Sequence, residues 1–275
     1  MKTKLGSFII YLSLSLSAWT HPGIGIVTNS KGEIFYTDTE RVWKISADGK
    51  TKIVAVSNVH THELYMDIYD NLYGEHLWYE GETSNKWGHY VWKYSAQGKF
   101  TKIQPNTEGF LQNYSFVRDK AANMYWLVSS KSGSDWMKLS ANQKIEWLAT
   151  IPTKDVRWQF CSREGIFYYV DDNDLYTIKD KKPHIVASDL DNIKGEDPKR
   201  KPNHSIFGIW DDPKGALYVA VTSTKSVKKI ASNGQVSVVY QSLFGWMPTG
   251  GIIDKKGHLW ILETNQTNHV RVVKR

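Results

Sequence analysis

The densest run of chemically capable side chains is residues 59–89, "VHTHELYMDIYDNLYGEHLWYEGETSNKWGH". It holds His60, His62, His76 and His89, four of the nine histidines in the chain, together with Glu63, Asp67, Asp70, Glu75, Glu80 and Glu82. Imidazole with carboxylate is a ligand set for Zn, Mn or Ni, and carboxylates behind the rings orient them. The same groups act as general acids and bases near neutral pH. His60 and His62 are two residues apart, so on a strand they share a face. Two readings stay open. Either the run is a metal or acid–base site, or one or two of its histidines hydrogen-bond between blades of the fold and the rest are solvated. The second weighs more for His89, between glycine and tyrosine near Lys86 on an expected loop.

Other motifs are less specific. Cys161, the single cysteine, lies in the apolar run "RWQFCSREGIFYYV". No intrachain disulfide is possible, and a buried structural thiol is the expected state. "GIG" at 23–25 precedes a strand and not a helix, so it is no dinucleotide loop. The basic segment "EDPKRKPNH", 196–204, is a solvated connection or a lid attracting a carboxylate or sulfate. Asn113, Asn203 and Asn265 each open a glycosylation-type triplet. The net charge of +7 favours anionic ligands. No basic helix, zinc-finger spacing or RNA-binding signature accompanies it, so nucleic acid is not an expected partner.

The start, "MKTKLGSFIIYLSLSLSAWTHPG", has a lysine-bearing n-region, an apolar h-region and a small-residue exit. It reads as a signal peptide over 1–18, which implies a secreted or periplasmic protein. It is too short for a stable membrane span, and no other stretch is long enough. "YLSLSLSAW" also alternates with period two, as a half-buried strand does.

The rest of the chain must position these residues, and it is periodic. "GIGIVTNSKGEIFYTD", "HELYMDIYDNLYGEH", "NYSFVRDKAANMYWLV", "RWQFCSREGIFYYVDD", "IFGIWDDPKGALYVAV" and "TGGIIDKKGHLWILET" each read as strand, polar turn, strand, at a mean spacing of about 45 residues. Second hairpins such as "RVWKISADGKTKIVA" and "SVKKIASNGQVSVVY" follow, turning at Asp48-Gly49 and Asn233-Gly234. The pattern predicts an all-β, six-bladed β-propeller of four-stranded antiparallel blades as one domain over 21–275. The twelve tryptophans and fifteen tyrosines mostly fill the wedges between blades. After "HLWILET" only "NHVRVVKR" remains, so the last blade closes with three strands or borrows one from the N-terminal segment.

The units "SKGEIFYTD…VWKISADGKTK" and "DPKGALYVAV…VKKIASNGQ" resemble NHL repeats and the gluconolactonase (senescence-marker) superfamily of six-bladed propellers, over roughly residues 24–275. For lactonase members the resemblance implies a divalent metal at the channel mouth, held by a glutamate of the first inner strand with asparagines and an aspartate. Here that strand starts "PGIGIV", without a glutamate, so that ligand set is not reproduced. The sixth unit looks like the repeats of streptogramin-lyase-type propellers, which implies a histidine and a metal for an elimination.

In a four-stranded meander, residues before each inner strand and after each second strand meet at one channel mouth, where ligand sites prefer to form. This places His60, His62, Glu63, Glu75 and His76 at the mouth, with Asp67 and Asp70 at the opposite turn. Asp38, His76 and Glu263 hold equivalent ends of second strands. The expected metal ligands are drawn from His60, His62, His76 and His204, holding a divalent ion. His62, His76 and Arg157 are the expected catalytic groups, with Arg157 pairing a substrate carboxylate. Glu63, Asn113, Trp158, Trp246 and Glu263 are the expected substrate contacts. The activity this implies is a metal-assisted lyase or hydrolase acting on a carbohydrate- or lactone-like substrate. The alternative is a non-catalytic propeller binding a glycan, peptide or protein. A monomer with a small-molecule or oligosaccharide ligand is expected.

Overall fold

Six turns of one design organise the chain. In the second unit, Asp67 Oδ1 accepts the amides of Tyr69 and Asn71 at 2.9 and 2.8 Å, while Oδ2 takes Asn71 Nδ2 and the Tyr73 hydroxyl at 2.8 and 3.0 Å. Asp119, Asp212 and Asp254 repeat the device, ending on Tyr125, Tyr218 and Trp260. Asn29 and Ser162 stand at the same point in the first and fourth units. Three residues later the backbone turns left-handed every time, at Gly32, Asp70, Ala122, Gly165, Gly215 and Gly257, with φ from 61° to 84°. Glycine fills four of these positions because that region strains residues bearing a Cβ.

The structure is a computed structural model that describes residues 22–109, 111, 114–153, 156–191 and 205–275, with Arg157 by its backbone alone. The proposed signal segment and His21 lie outside the described residues. Six antiparallel sheets follow one another, each joining strands consecutive in the chain. Blade 1 comprises Ile26–Thr28, Ile34–Thr37, Val42–Ile45 and Lys52–Val56, and blade 2 Leu64–Met66, Leu72–Tyr79, Trp87–Tyr94 and Phe100–Glu108. Blade 4 runs from Val156–Cys161 to Lys182–Ala187 and blade 5 from Ile206–Asp211 to Val236–Gln241, each with four strands. Among the described residues blade 6 has three, Trp246–Ile253, Leu259–Asn265 and Val270–Lys274. This is the six-bladed propeller that the repeat predicts. No helix occurs among the described residues, so none is long and apolar enough to cross a membrane.

Blade 3 departs from four regular strands. Its ladder holds Met124–Ser129, Ser134–Leu139 and Ile145–Ile151. The innermost segment joins by an isolated Arg118–Met124 bridge and the Tyr125 amide on the Val117 carbonyl at 3.1 Å. Side chains take over the ladder donors there. The Ser115 amide points at Met124 Sδ (3.3 Å), and the Val117 amide at Ser115 Oγ (3.0 Å).

Apolar clusters fill five of the blade interfaces. Phe35 and Val42 meet Leu72 and Trp92 between blades 1 and 2. Trp136 and Ala149 meet Cys161 and Phe167 between blades 3 and 4. Leu175 meets Ile206 and Val219 between blades 4 and 5, and Trp210 and Tyr240 meet Ile253 and Ile261 between blades 5 and 6. Ile34 and Tyr36 meet Trp260 and Leu262 where blade 6 closes on blade 1, a joint also held by Thr249 Oγ1 donating to the Gly23 carbonyl at 2.9 Å. Cys161 is buried in this packing, and burial pushes its thiol up to about 12, which disfavours the thiolate. Between blades 2 and 3 the described residues form no such apolar cluster; the buried Phe116 sits edge-on to Tyr114, among charged and phenolic groups.

Candidate functional site

The six inner strands surround an axial channel with a cavity of about 240 Å³. Its width is set four residues before each turn, at Gly25, Glu63, Ser115, Trp158, Gly208 and Gly250. A Cβ on Gly250 would stand 2.3 Å from the Ile24 carbonyl oxygen, one on Gly208 2.6 Å from the Thr249 carbonyl, and one on Gly25 2.8 Å from Leu64. Glycine therefore lets the inner strands of blades 5, 6, 1 and 2 close on one another. Blades 2 and 4 instead place Glu63 and Trp158 at that register, and both line the cavity. Arg118, Gln159, Arg163 and Asp211 add further polar lining.

The polar groups concentrate at blade 2 and its junction with blade 3. Glu75, 5% exposed, holds the entry to the inner strand: its Oε1 accepts the His62 amide at 2.6 Å and the Glu63 amide at 3.3 Å. Glu75 Oε2 is buried with no hydrogen-bond partner among the described residues. Burial raises the Glu75 carboxyl to about 7, against the pull of those amides. Burial, reinforced by the nearby Glu75, raises Glu63 to about 8, which favours the protonated form of a carboxyl that lines the channel. Across the junction, Arg118 lies 5.5 and 5.2 Å from the Tyr65 and Tyr114 ring centres. It donates to the carbonyls of Ser115 and, at 3.3 Å, Val117. Burial lifts the Tyr114 phenol and lowers the Arg118 guanidinium, each partly offset by the other.

The histidines divide. His62 Nδ1 stands 3.8 Å from Glu75 Oε1. His60 meets His62 edge-on, with ring centres 4.8 Å apart. The His60 amide donates to His76 Nδ1 at 2.9 Å, and His76 stacks on Tyr90 at 4.7 Å. His60 and His76 line a shallow outer depression with Glu40 and Arg41, outside the channel. Burial lowers the proton affinity of both rings. His89 is not on a loop but in Trp87–Tyr94, 3% exposed, with Nδ1 donating to the Gly109 carbonyl at 2.7 Å. The residue pattern around it resembles a loop only because the hairpin of blade 2 is longer than the others.

Of the expected substrate contacts, Glu63 and Trp158 line the channel. Glu263 does not present a free carboxylate: it is fully buried, with Oε1 taking the Tyr240 hydroxyl at 2.9 Å and Oε2 paired to Arg271 Nε at 2.7 Å. It ties blade 6 to blade 5. Trp246 lies beneath the same arginine, whose guanidinium carbon is 4.0 Å from the ring centre. Asp38, at the position equivalent to Glu263, likewise accepts Trp43 Nε1 at 2.6 Å. Asn113 and His204 lie outside the described residues, as does the Arg157 side chain.

Of the expected ligands, His76 spends Nδ1 on a backbone amide, His62 stands beside Glu75, and His60 and His76 line the outer depression rather than the channel. Among the described residues no three His, Cys, Asp or Glu side chains converge to hold an ion. The residue missed from sequence was Arg118. Its signal was an arginine just before the turn, where the other units place Thr28, Met66, Cys161, Asp211 and Ile253.

No family model and no curated protein matches the sequence. Solved structures do. An auxiliary nutrient binding protein from Bacteroides thetaiotaomicron aligns over 92% of this chain and 69% of its own, at 12% identity and a TM-score of 0.61. A gluconolactonase from Xanthomonas campestris covers 86% and 81%, at 13% identity and 0.53. A streptogramin B lyase covers 90% and 81%, at 14% identity and 0.51. The chain shares their propeller fold. At these identities the likeness concerns architecture, and functional argument returns to the channel.

Proposed function

We propose that the protein acts on a small carbohydrate- or lactone-like molecule at the channel mouth, as a lyase or hydrolase in which Glu63 is the general acid. The observation that carries this reading is a pair of carboxyls at one place: Glu63 lines the cavity, and the buried Glu75 grips the Glu63 backbone amide behind it, in surroundings that favour the protonated form of each. Paired carboxyls whose environments hold protons near neutrality are suited to general acid chemistry. Glu75 is a positioning residue: it fixes the backbone of Glu63 and, when ionised, keeps the proton on it. His62, beside Glu75, is the candidate base. Trp158 and Gln159 Oε1, which has no hydrogen-bond partner among the described residues, support ligand contact in the same cavity. Arg157 and the other mouth residues remain candidates for holding a substrate carboxylate. No step is assigned to a metal. The N-terminal pattern supports export, and a monomer is proposed, to be checked by light scattering.

The test is turnover of a lactone and acidic-oligosaccharide panel, followed by proton NMR. Glu63→Gln should abolish turnover, while His60→Ala, His76→Ala and chelation leave it. Activity should fall as pH rises through about 8, and Glu75→Gln should move that limb to lower pH. Full turnover by Glu63→Gln would end the acid–base reading. Binding without turnover would favour the second reading, a non-catalytic propeller for a small ligand, glycan or peptide; the small cavity is the observation in its favour.

A further inference from the structure

We propose that Arg118 is an anion-recognition point in the channel, and that it takes the carboxylate of a small monoacid. The inference rests on the channel being the ligand site. Every other described arginine with a placed side chain has an acidic or terminal role elsewhere: Arg163 Nε pairs with Asp211 at 3.2 Å, Arg271 with Glu263 at 2.7 Å, Arg41 with Glu40 at 3.1 Å, and Arg275 lies at the C-terminus over Tyr240. Arg118 has no carboxylate partner among the described residues. Its neighbours are two carbonyls and the phenols of Tyr65 and Tyr114.

The charges lining the cavity leave it positive. Asp211 is offset by Arg163, and burial favours the uncharged form of Glu63. Arg118 is the uncompensated charge of the lining among the described residues. A guanidinium offers five N–H donors in a planar fork that matches a carboxylate. Two carbonyls and a phenol do not use them all. One uncompensated positive charge suits a monoanion better than a phosphate dianion. A cavity of about 240 Å³ has room for roughly eight waters at ~30 Å³ each, so the buried part of the ligand is small. A protonated Glu63 in the same cavity can donate a hydrogen bond to a hydroxyl or carbonyl of that ligand. The chemical class is therefore a short hydroxy- or keto-acid, or the acid end of a longer molecule.

The experiment is calorimetric and NMR titration of the full chain with acetate, glycolate and inorganic phosphate at constant ionic strength. Wild type should bind glycolate saturably at one site per chain, more tightly than acetate and phosphate. Arg118→Gln should weaken it at least tenfold. Arg118→Lys, which keeps the charge without the fork, should weaken it several-fold and serves as the decisive variant where Arg118→Gln does not fold. Absence of saturable carboxylate binding, unchanged binding in Arg118→Lys, or tighter binding of phosphate would overturn the proposal. The readout is binding, so loss of the Glu63 turnover reading with glycolate still bound leaves Arg118 assigned. Turnover without carboxylate binding removes Arg118 alone.

Discussion

Replacing Glu63 by glutamine probes the channel through stability as well as activity. The carboxyl has an ordinary value near 4.5 in the unfolded chain and about 8 in the fold. A carboxyl held up in this way contributes fully to stability below pH 4.5. That contribution fades as pH rises through 8, because the unfolded chain releases the proton first. At ~1.4 kcal/mol per unit the interval is worth about 5 kcal/mol at most. Solvent screening and the coupled titration of Glu75 reduce it, and about 2 kcal/mol is the working figure. Glutamine keeps the shape without the ionisation. Glu63→Gln should therefore match wild type near pH 4 and exceed it by about 2 kcal/mol above pH 8.5, or roughly 4–8 °C in Tm. Urea unfolding at half-unit steps from pH 4 to pH 9 measures the difference. A constant offset between the two proteins across that range would refute the argument, since it would mean that Glu63 ionises as freely in the fold as in the unfolded chain. A variant that is inactive yet more stable above pH 8 is the pattern of a residue retained for function.

Two further substitutions test the frame. Ala122 sits at φ 61° where four other blades use glycine, so Ala122→Gly should stabilise by about 1 kcal/mol, read from the urea midpoint. Gly250→Ala would drive a Cβ to 2.3 Å from the Ile24 carbonyl and should cost about 1–3 kcal/mol or more; an unchanged midpoint would mean that the inner strands are not in close contact there.

The fold was legible because it repeats. Six copies of a turn signal, each followed by an apolar strand, leave little choice, and Asp67 and Asp70 fall at the turn away from the mouth as their spacing indicates: Asp70 there accepts the Ser30 amide at 2.7 Å. The site was less legible because blade period fixes height along the channel but not which way a side chain leaves its strand. Glu63 and Glu263 look equally available by position, yet one lines the cavity and the other is locked to Arg271 and Tyr240. His89 was misjudged for a related reason: a long hairpin carries polar residues inside a strand. Arg118 stands out in the repeat as an arginine just before the turn, but the lack of a carboxylate partner, which gives it meaning, has no sequence pattern.

The junction of blades 2 and 3 has a mechanical consequence. A closed ring opens where its joints are weakest, and the usual suspect is the place where the chain's last blade meets its first. Here that joint is apolar and hydrogen-bonded, whereas the junction carrying Glu63, Tyr114 and Arg118 is polar, holds a guanidinium among phenols and is built on an irregular strand. The ring thus has its seam away from its ends. A ligand seated across that seam would act as a clasp, and occupancy would be felt as stiffness around the whole circle.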